Sequence, residues 1–539
     1  MIAAFAVLAL VAGAIGALVA EAAGGGWAAV AAELAKPVTR SIIRFTLWQA
    51  TLSAALSVGL AVVLARALAR RGRFLGRRLI LRLSSVSLII PTMVAVLGLV
   101  AVHGRHGWIN QALATLGFAR VDYLYGLNGI LIAHVFFNLP LATRILLHAL
   151  LTLPQHTWDL ARLYGMNARQ AFRWIEWPLL RGVIPGVAGI VFLLCFTSFA
   201  IVLTLGGGPK STTLEVAIYQ AIRFDFDLSK AVALALIQIV LCMALAAAFF
   251  AGGVSFPLRA DDRPGADRTD ADSVGSRIID AVVIVAAAAF LLAPLIAVLT
   301  KALAPGGWGI LLDRAFWDAL RWTLLIALCA GALSCALALA LSNAIVELRQ
   351  RGRWRALSVE IIAALTLLAP PIALGAGLFL LLRRALAFGD APSASPLSLG
   401  PVVVIALNAL LALAFGVRIL APALAAQRER YRHLCAGLGV RGLNQWRFVL
   451  WPALRHPLAY ALAVATTLSA GDMGVIALFG TDELRTLPLL MYRLIGAYRL
   501  EQAAVVAAAL CALCFALFWA IERAGGDVAD ADANARRRA

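Results

Sequence analysis

Residues 231–253 read AVALALIQIVLCMALAAAFFAGG, and residues 255–277 read SFPLRADDRPGADRTDADSVGSR. The first stretch is uncharged, apolar and long enough to cross the hydrocarbon core of a bilayer as a helix, which takes about 20 residues. The second is polar, charged and rich in turn formers, the composition of a connecting segment. The same apolar pattern recurs at about 2–20, 45–65, 84–102, 126–149, 182–205, 278–300, 320–342, 358–382, 400–421, 457–479 and 502–521. The sequence therefore predicts twelve spans, six on each side of 255–277. Helix is required, because backbone groups in lipid must be paired within their own segment. Barrel strands would be about 10 residues long and would alternate in polarity.

Composition agrees with an all-α polytopic membrane protein. Of 539 residues, 62% are hydrophobic and 14% charged, with a mean hydropathy of +0.90. A soluble domain keeps about a quarter of its residues charged. The net charge of +19 does not indicate nucleic acid, since Lys and Arg sit in short clusters between apolar runs, as orientation signals do. The first segment has no basic residue before it, so it reads as an uncleaved helix, not as a secretory signal.

Arginine placement predicts the orientation. With both termini cytoplasmic, the loops holding Arg66, Arg70, Arg71, Arg73, Arg77, Arg78 and Arg82, then Arg162, Arg169, Arg173 and Arg181, then Arg349 to Arg355, then Arg418 to Arg455, all lie inside. The basic residues then favour the cytoplasmic side by about two to one. The seven cysteines lie in apolar segments or, for Cys435, in a cytoplasmic loop, so no disulfide framework is expected. Cys511 and Cys514 read as small packing residues. His103 and His106 share an outer loop with Asp122 only, too few ligands for a metal.

The two halves repeat each other. Phe45-Thr46-Leu47 with Ala55-Leu56-Ser57 matches Trp322-Thr323-Leu324 with Ala332-Leu333-Ser334. Leu88-Ile89-Ile90-Pro91 with Gly98 matches Leu367-Leu368-Ala369-Pro370 with Gly377, and Arg144-Ile145-Leu146 matches Arg418-Ile419-Leu420. An even number of spans per half makes this a parallel repeat, whose interface is the place for a pathway. The fourth span of each half is followed by a second duplicated pattern. One copy is Asp159-Leu160-Ala161, Gly165 and Ile175-Glu176-Trp177-Pro178. The other is His433-Leu434-Cys435, Gly439 and Val449-Leu450-Trp451-Pro452. Gly and Pro are 13 residues apart in both, and both end Trp-Pro-x-Leu-Arg.

This duplicated loop resembles the E-A-A-x-x-x-G-x(9)-I-x-L-P loop of binding-protein-dependent ABC importer permeases. The resemblance implies a type I permease fold and a short coupling helix in each half that docks in a cleft of an ATPase subunit. It assigns the coupling positions to Asp159, Leu160, Ala161, Gly165 and Pro178, and to His433, Leu434, Cys435, Gly439 and Pro452. Gly permits the turn after the helix, and Pro stiffens re-entry into the membrane. The first copy has Asp159 and Leu160 in place of Glu and Ala. The second keeps neither the Glu nor the Ala pair, which puts an acidic contact there in doubt.

Further stretches are similar to the thiamine importer permeases of proteobacteria: Phe45-Thr46-Leu47-Trp48-Gln49-Ala50, His134-Val135-Phe136-Phe137-Asn138-Leu139-Pro140, Gly206-Gly207-Gly208-Pro209 with Thr212-Thr213, and Thr486-Leu487-Pro488. That resemblance implies thiamine or its phosphates as substrate, a periplasmic thiamine-binding protein, two ATPase copies carrying ATP-Mg, and residence in the bacterial inner membrane. It implies permease lobes at 43–254 and 315–521, each preceded by an extra helix and outer loop (1–42 and 278–314), with a linker at 255–277 and a cytoplasmic tail at 522–539. The fused ferric-iron permeases share this architecture and are the alternative; a secondary transporter would need more buried acids. The ATPase must be a separate chain. A phosphate-binding G-K-[ST] loop needs Lys after Gly, and none of Lys36, Lys210, Lys230 and Lys301 follows Gly. No cofactor, catalytic set or metal site is therefore expected on this chain. A cationic substrate suits aromatic faces and carboxylates, so the candidate pathway residues are Trp48, Gln49, Asn138, Ser198, Glu360, Ser469 and Asp472.

Overall fold

The computed structural model describes residues 2–25, 27–72, 90–251, 268, 273–368, 370–388 and 399–525, with Phe74, Gly76, Arg77, Ile80 and Leu81. All regular elements among them are helical. Among the described residues, ten helices are long and apolar enough to span a bilayer, and the pair Trp354–Thr366 and Pro371–Arg384, bent by 94°, forms an eleventh candidate. The remaining predicted span, 84–102, is described only from residue 90, where Thr92–His103 is helical. Most of the 255–277 connector and the tail beyond 525 lie outside the described residues.

In chain order the principal helices of the first half are α1 (Ile2–Gly25), α2 (Pro37–Arg70), α3 (Thr92–His103), α4 (Leu127–Leu151), α5 (Gln155–Leu163), α6 (Trp177–Phe196), α7 (Leu214–Arg223) and α8 (Leu228–Ala251). Those of the second half are α9 (Val274–Ala302), α10 (Arg314–Arg351), α11 (Arg353–Leu368), α12 (Pro371–Phe388), α13 (Gly400–Gly437), α14 (Trp451–Ala470), α15 (Leu487–Gly496) and α16 (Leu500–Ala524). In each half one long helix, α2 or α10, forms the spine, against which α4 and α6, or α13 and α14, pack. Lipid supplies no hydrophobic drive for helix association, so close contact depends on small side chains. The buried face of α2 includes Ala50, Ala54, Ala61 and Ala65, interleaved with Ser53 and Ser57. On α10, a Cβ added to Gly331 would come 2.2 Å from Thr466 Oγ1 on α14.

Two of the repeated sequence features have matching structural reasons. Thr46 Oγ1 donates to Ile42 O at 2.7 Å and accepts the Leu214 N–H at 3.1 Å. Thr323 Oγ1 donates to Ala319 O at 2.7 Å and accepts the Leu487 N–H at 2.9 Å. Each threonine thereby satisfies an orphan donor at the start of α7 or α15, a group with no partner inside its own helix. Gly98 and Gly377 mark crossings. A Cβ on Gly98 would stand 2.5 Å from Pro294 O on α9, and one on Gly377 would stand 2.4 Å from Ala14 O on α1. The first helix of each half thus packs on the other half: α1 on α12, and α9 on α3.

Candidate functional site

The two duplicated loops end their helices in the same way. After α5, Met166 N bonds Ala161 O at 2.9 Å and Gly165 N bonds Arg162 O at 3.0 Å. After α13, Val440 N bonds Cys435 O at 2.9 Å and Gly439 N bonds Ala436 O at 3.3 Å. This is the paired hydrogen-bond closure that needs a left-handed residue one place beyond the cap. Gly165 and Gly439 hold φ of +60° and +64° there, which a side chain would strain. The re-entry also matches. Trp177 N bonds Phe172 O and Trp451 N bonds Trp446 O, so each copy contains a single π turn, Phe172–Glu176 or Trp446–Leu450. Pro178 and Pro452 explain it: each lacks an N–H, and its ring clashes with the carbonyl four residues earlier, so the turn widens just before it.

The start of the two coupling segments differs. Sequence likeness predicts a short helix in each loop, but only α5 is separate. Pro154 precedes it, and a residue before proline avoids the helical region, so Leu153 breaks away from α4. The matching position in the second half is Arg428, and α13 runs unbroken for 38 residues from Gly400 to Gly437.

Ala161 and Cys435, the third residue of each triad, are buried, whereas Asp159, Leu160, His433 and Leu434 are exposed. Asp159 Oδ1 accepts from Gln155 Nε2 at 3.0 Å. Pro178 and Pro452 are exposed. The outward surface is apolar where solvent-facing loops are normally polar: Leu160, Leu163 and Tyr164 on one loop, Leu434 and Leu438 on the other, each more than half exposed. Apolar groups gathered on an exposed face mark a place for a partner. Fully buried Glu176, the last residue of the π turn, accepts from Arg66 Nε at 2.6 Å.

The pathway candidates do not form one cluster. Gln49 and Asn138 meet inside the first half around Cys195: Gln49 Nε2 donates to Cys195 O at 2.9 Å and Asn138 Nδ2 to Cys195 Sγ at 3.3 Å. Ser53 Oγ and His134 Nδ1, 2.8 Å apart, complete this polar core. Ser198 is half-buried just beyond it, with its N–H 3.4 Å from Cys195 O. The second half has a smaller counterpart, Asn408 Nδ2 donating to Ser469 Oγ at 3.0 Å. Trp48 points outward. Glu360 is held by Arg349, Nη2 to Oε1 at 2.7 Å. Asp472 caps the short helix Gly474–Phe479 through Gly474 N at 3.2 Å and Val475 N at 3.1 Å. It adjoins the boundary between the halves, since a Cβ on neighbouring Gly471 would lie 3.1 Å from Pro91 Cβ.

Sequence reasoning passed over a carboxylate at that boundary. Glu215, fully buried on α7, accepts from Gln238 Nε2 at 3.0 Å and from Ile372 N at 3.2 Å, capping α12 of the other half. Its signal was available: an acid in an otherwise apolar stretch, directly after Thr212-Thr213-Leu214. Nearby, Arg223 Nη2 donates to Gly480 O at 3.1 Å, a second polar tie between halves.

Residues 57–254 match the family of binding-protein-dependent transport system inner membrane components. The thiamine transport system permease protein of Brucella abortus (strain 2308) is 41% identical over 526 residues, covering 96% of this chain and 93% of its own. That of Escherichia coli (strain K12) is 42% identical over 491 residues, covering 90% and 89%. A putative 2-aminoethylphosphonate transport system permease protein of Salmonella typhi is 28% identical over 176 residues, 32% of this chain and 60% of its own. Identity at that level runs through both six-helix halves, and the chain belongs to the thiamine transport system permeases, multi-pass inner-membrane components of binding-protein-dependent transport systems.

Proposed function

We propose that this chain is the membrane-spanning subunit of an ATP-driven importer that moves thiamine or its phosphates from a periplasmic binding protein to the cytoplasm. The observation that carries the reading is the pair of matched loops, each ending at a left-handed glycine and each presenting exposed leucines. Two such knobs on one chain suit two copies of a separate ATPase. The orientation follows from the arginine clusters, which put both loops and both termini in the cytoplasm. The relatives, which are named as thiamine permeases, support thiamine as the substrate. They favour thiamine over the ferric iron of the alternative fused permeases.

Within the membrane, alternating access requires the halves to move against each other around a shared path. Ties between halves, such as Arg223 to Gly480 and Glu215 to Ile372, are contacts that such a movement must remake. Asp472 adjoins that boundary through its neighbour Gly471, whereas the hydrogen bonds of Gln49, Asn138 and Ser469 stay within one half.

The test is reconstitution of this chain with its ATPase in liposomes, with the binding protein supplied outside. Uptake of labelled thiamine that needs both ATP and the binding protein is expected, with native mass spectrometry giving one copy of this chain to two of the ATPase. Thiamine uptake driven by a proton or sodium gradient without ATP would overturn the reading.

A further inference from the structure

We propose that Arg268, in the segment connecting the two halves, is a positioning residue that pins the first coupling helix, α5, through a ladder with no counterpart among the described residues of the second. The inference rests on the reading of α5 as a coupling helix.

Arg268 is buried, although it belongs to a stretch whose composition is that of a solvated connector. Its guanidinium carbon lies 4.1 Å from the centroid of the Trp158 ring, within cation–π distance. Its Nη2 pairs with Glu176, which is fully buried on the π turn. Arg66 approaches the same carboxylate from α2 and places its own guanidinium carbon 4.1 Å from the Phe172 ring centroid. The result is a ladder of ring, cation, carboxylate, cation and ring that joins coupling helix, connector, re-entry turn and spine helix.

α5 has a physical need for this support. It is nine residues long, lacks a side-chain cap at its start, and is cut off from α4 by Pro154. A helix that short has little stability of its own. Its seat on the body depends on Trp158 and Ala161, and Arg268 covers the Trp158 ring. The second coupling segment is the end of a 38-residue helix, so its position is inherited from the span itself. At the places matching Trp158, Phe172 and Glu176 it has Arg432, Trp446 and Leu450, a set that cannot rebuild the ladder. Planar stacking together with a fork of donors suits Arg and not Lys.

The experiment compares wild type, Arg268→Ala and Arg268→Lys in the reconstituted complex. It measures backbone hydrogen exchange at 155–163 and 429–437 and the thiamine transported per ATP hydrolysed. Removing Arg268 leaves Glu176 paired with Arg66, so the variant folds. Arg268→Ala is expected to raise exchange at 155–163 at least 5-fold without changing 429–437. It should lower the transport-to-hydrolysis ratio at least 3-fold at near-normal ATPase association. Arg268→Lys restores the ratio partly, since it keeps the charge and loses the stacking. Unchanged exchange and ratio in Arg268→Ala overturn the pin, as does an equal rise in exchange at both segments. If the wild-type complex neither binds the ATPase nor imports thiamine, the functional reading fails instead, and exchange at 155–163 still decides whether Arg268 holds α5.

Discussion

Gly98 on α3 and Pro294 on α9 touch backbone to backbone, so closely that a Cβ on the glycine would stand 2.5 Å from the proline carbonyl oxygen. Gly377 and Ala14 form the matching crossing between α12 and α1. Any side chain at either glycine must push two helices apart, and overpacking of this kind costs about 1–3 kcal/mol. We expect Gly98→Ala and Gly377→Ala to lower stability by that amount in detergent unfolding. Gly59→Ala, with open space around its Cβ, is the control: it should raise stability by up to about 1 kcal/mol through helix propensity alone. Equal effects at all three positions would show that the crossings do not matter.

The threonine caps give a second expectation. Thr46→Val and Thr323→Val keep the side-chain shape and remove the acceptor of a buried N–H, which costs about 1–3 kcal/mol. Thr46→Ser and Thr323→Ser keep the acceptor and should recover most of the loss. The comparison is read from unfolding midpoints of the four variants, and serine variants as weak as the valines would point to packing instead.

Strain at the coupling glycines gives a third. Gly165→Val and Gly439→Val place a β-branched residue at φ near +60°, a penalty of about 1–2 kcal/mol, and shift the exposed leucines. Both variants should insert normally in the membrane and retain less ATPase on co-purification at matched expression. The first loop should be the more sensitive, because α5 is detached and carries Asp159. Full ATPase retention and uptake in the double variant would return these loops to ordinary surface helices.

Orientation is tested by labelling. Single cysteines introduced at Arg169 and Arg441 should resist a membrane-impermeant thiol reagent in intact cells and react after the membrane is opened. Reaction in intact cells would reverse the topology.

The spans were legible because hydropathy is a one-dimensional property, and bilayer thickness fixes its scale. The repeat was legible through Thr46 and Thr323, Gly98 and Gly377, and Gly165 and Gly439, positions where backbone geometry dictates the residue. The continuous second coupling segment could have been read from Arg428 standing where the first half has Pro154. Other features depend on which helix face meets which neighbour, and apolar helices carry little information about that. Gln49, Asn138 and Ser469 looked like pathway groups because polar residues in lipid are costly. The structure pairs the Gln49 and Asn138 amide nitrogens and the Ser469 hydroxyl within their own halves, and the sequence does not distinguish a polar group that glues helices from one that faces a path. Arg268 was hidden by its surroundings, since composition assigns a whole segment to solvent and cannot single out a residue within it that turns inward.

The exchange of α1 and α9 between halves bears on how the protein is made. Membrane insertion proceeds from the N-terminus, and after the spans of the first half have entered the bilayer the Gly98 face of α3 is still without its partner. It stays so until α9 is threaded in. α1, the first helix inserted, must wait beside an unfinished bundle for α12. Neither half can reach its final packing before synthesis of the other has begun. A chain cut within the connector should therefore yield two fragments that mature only when they are produced together.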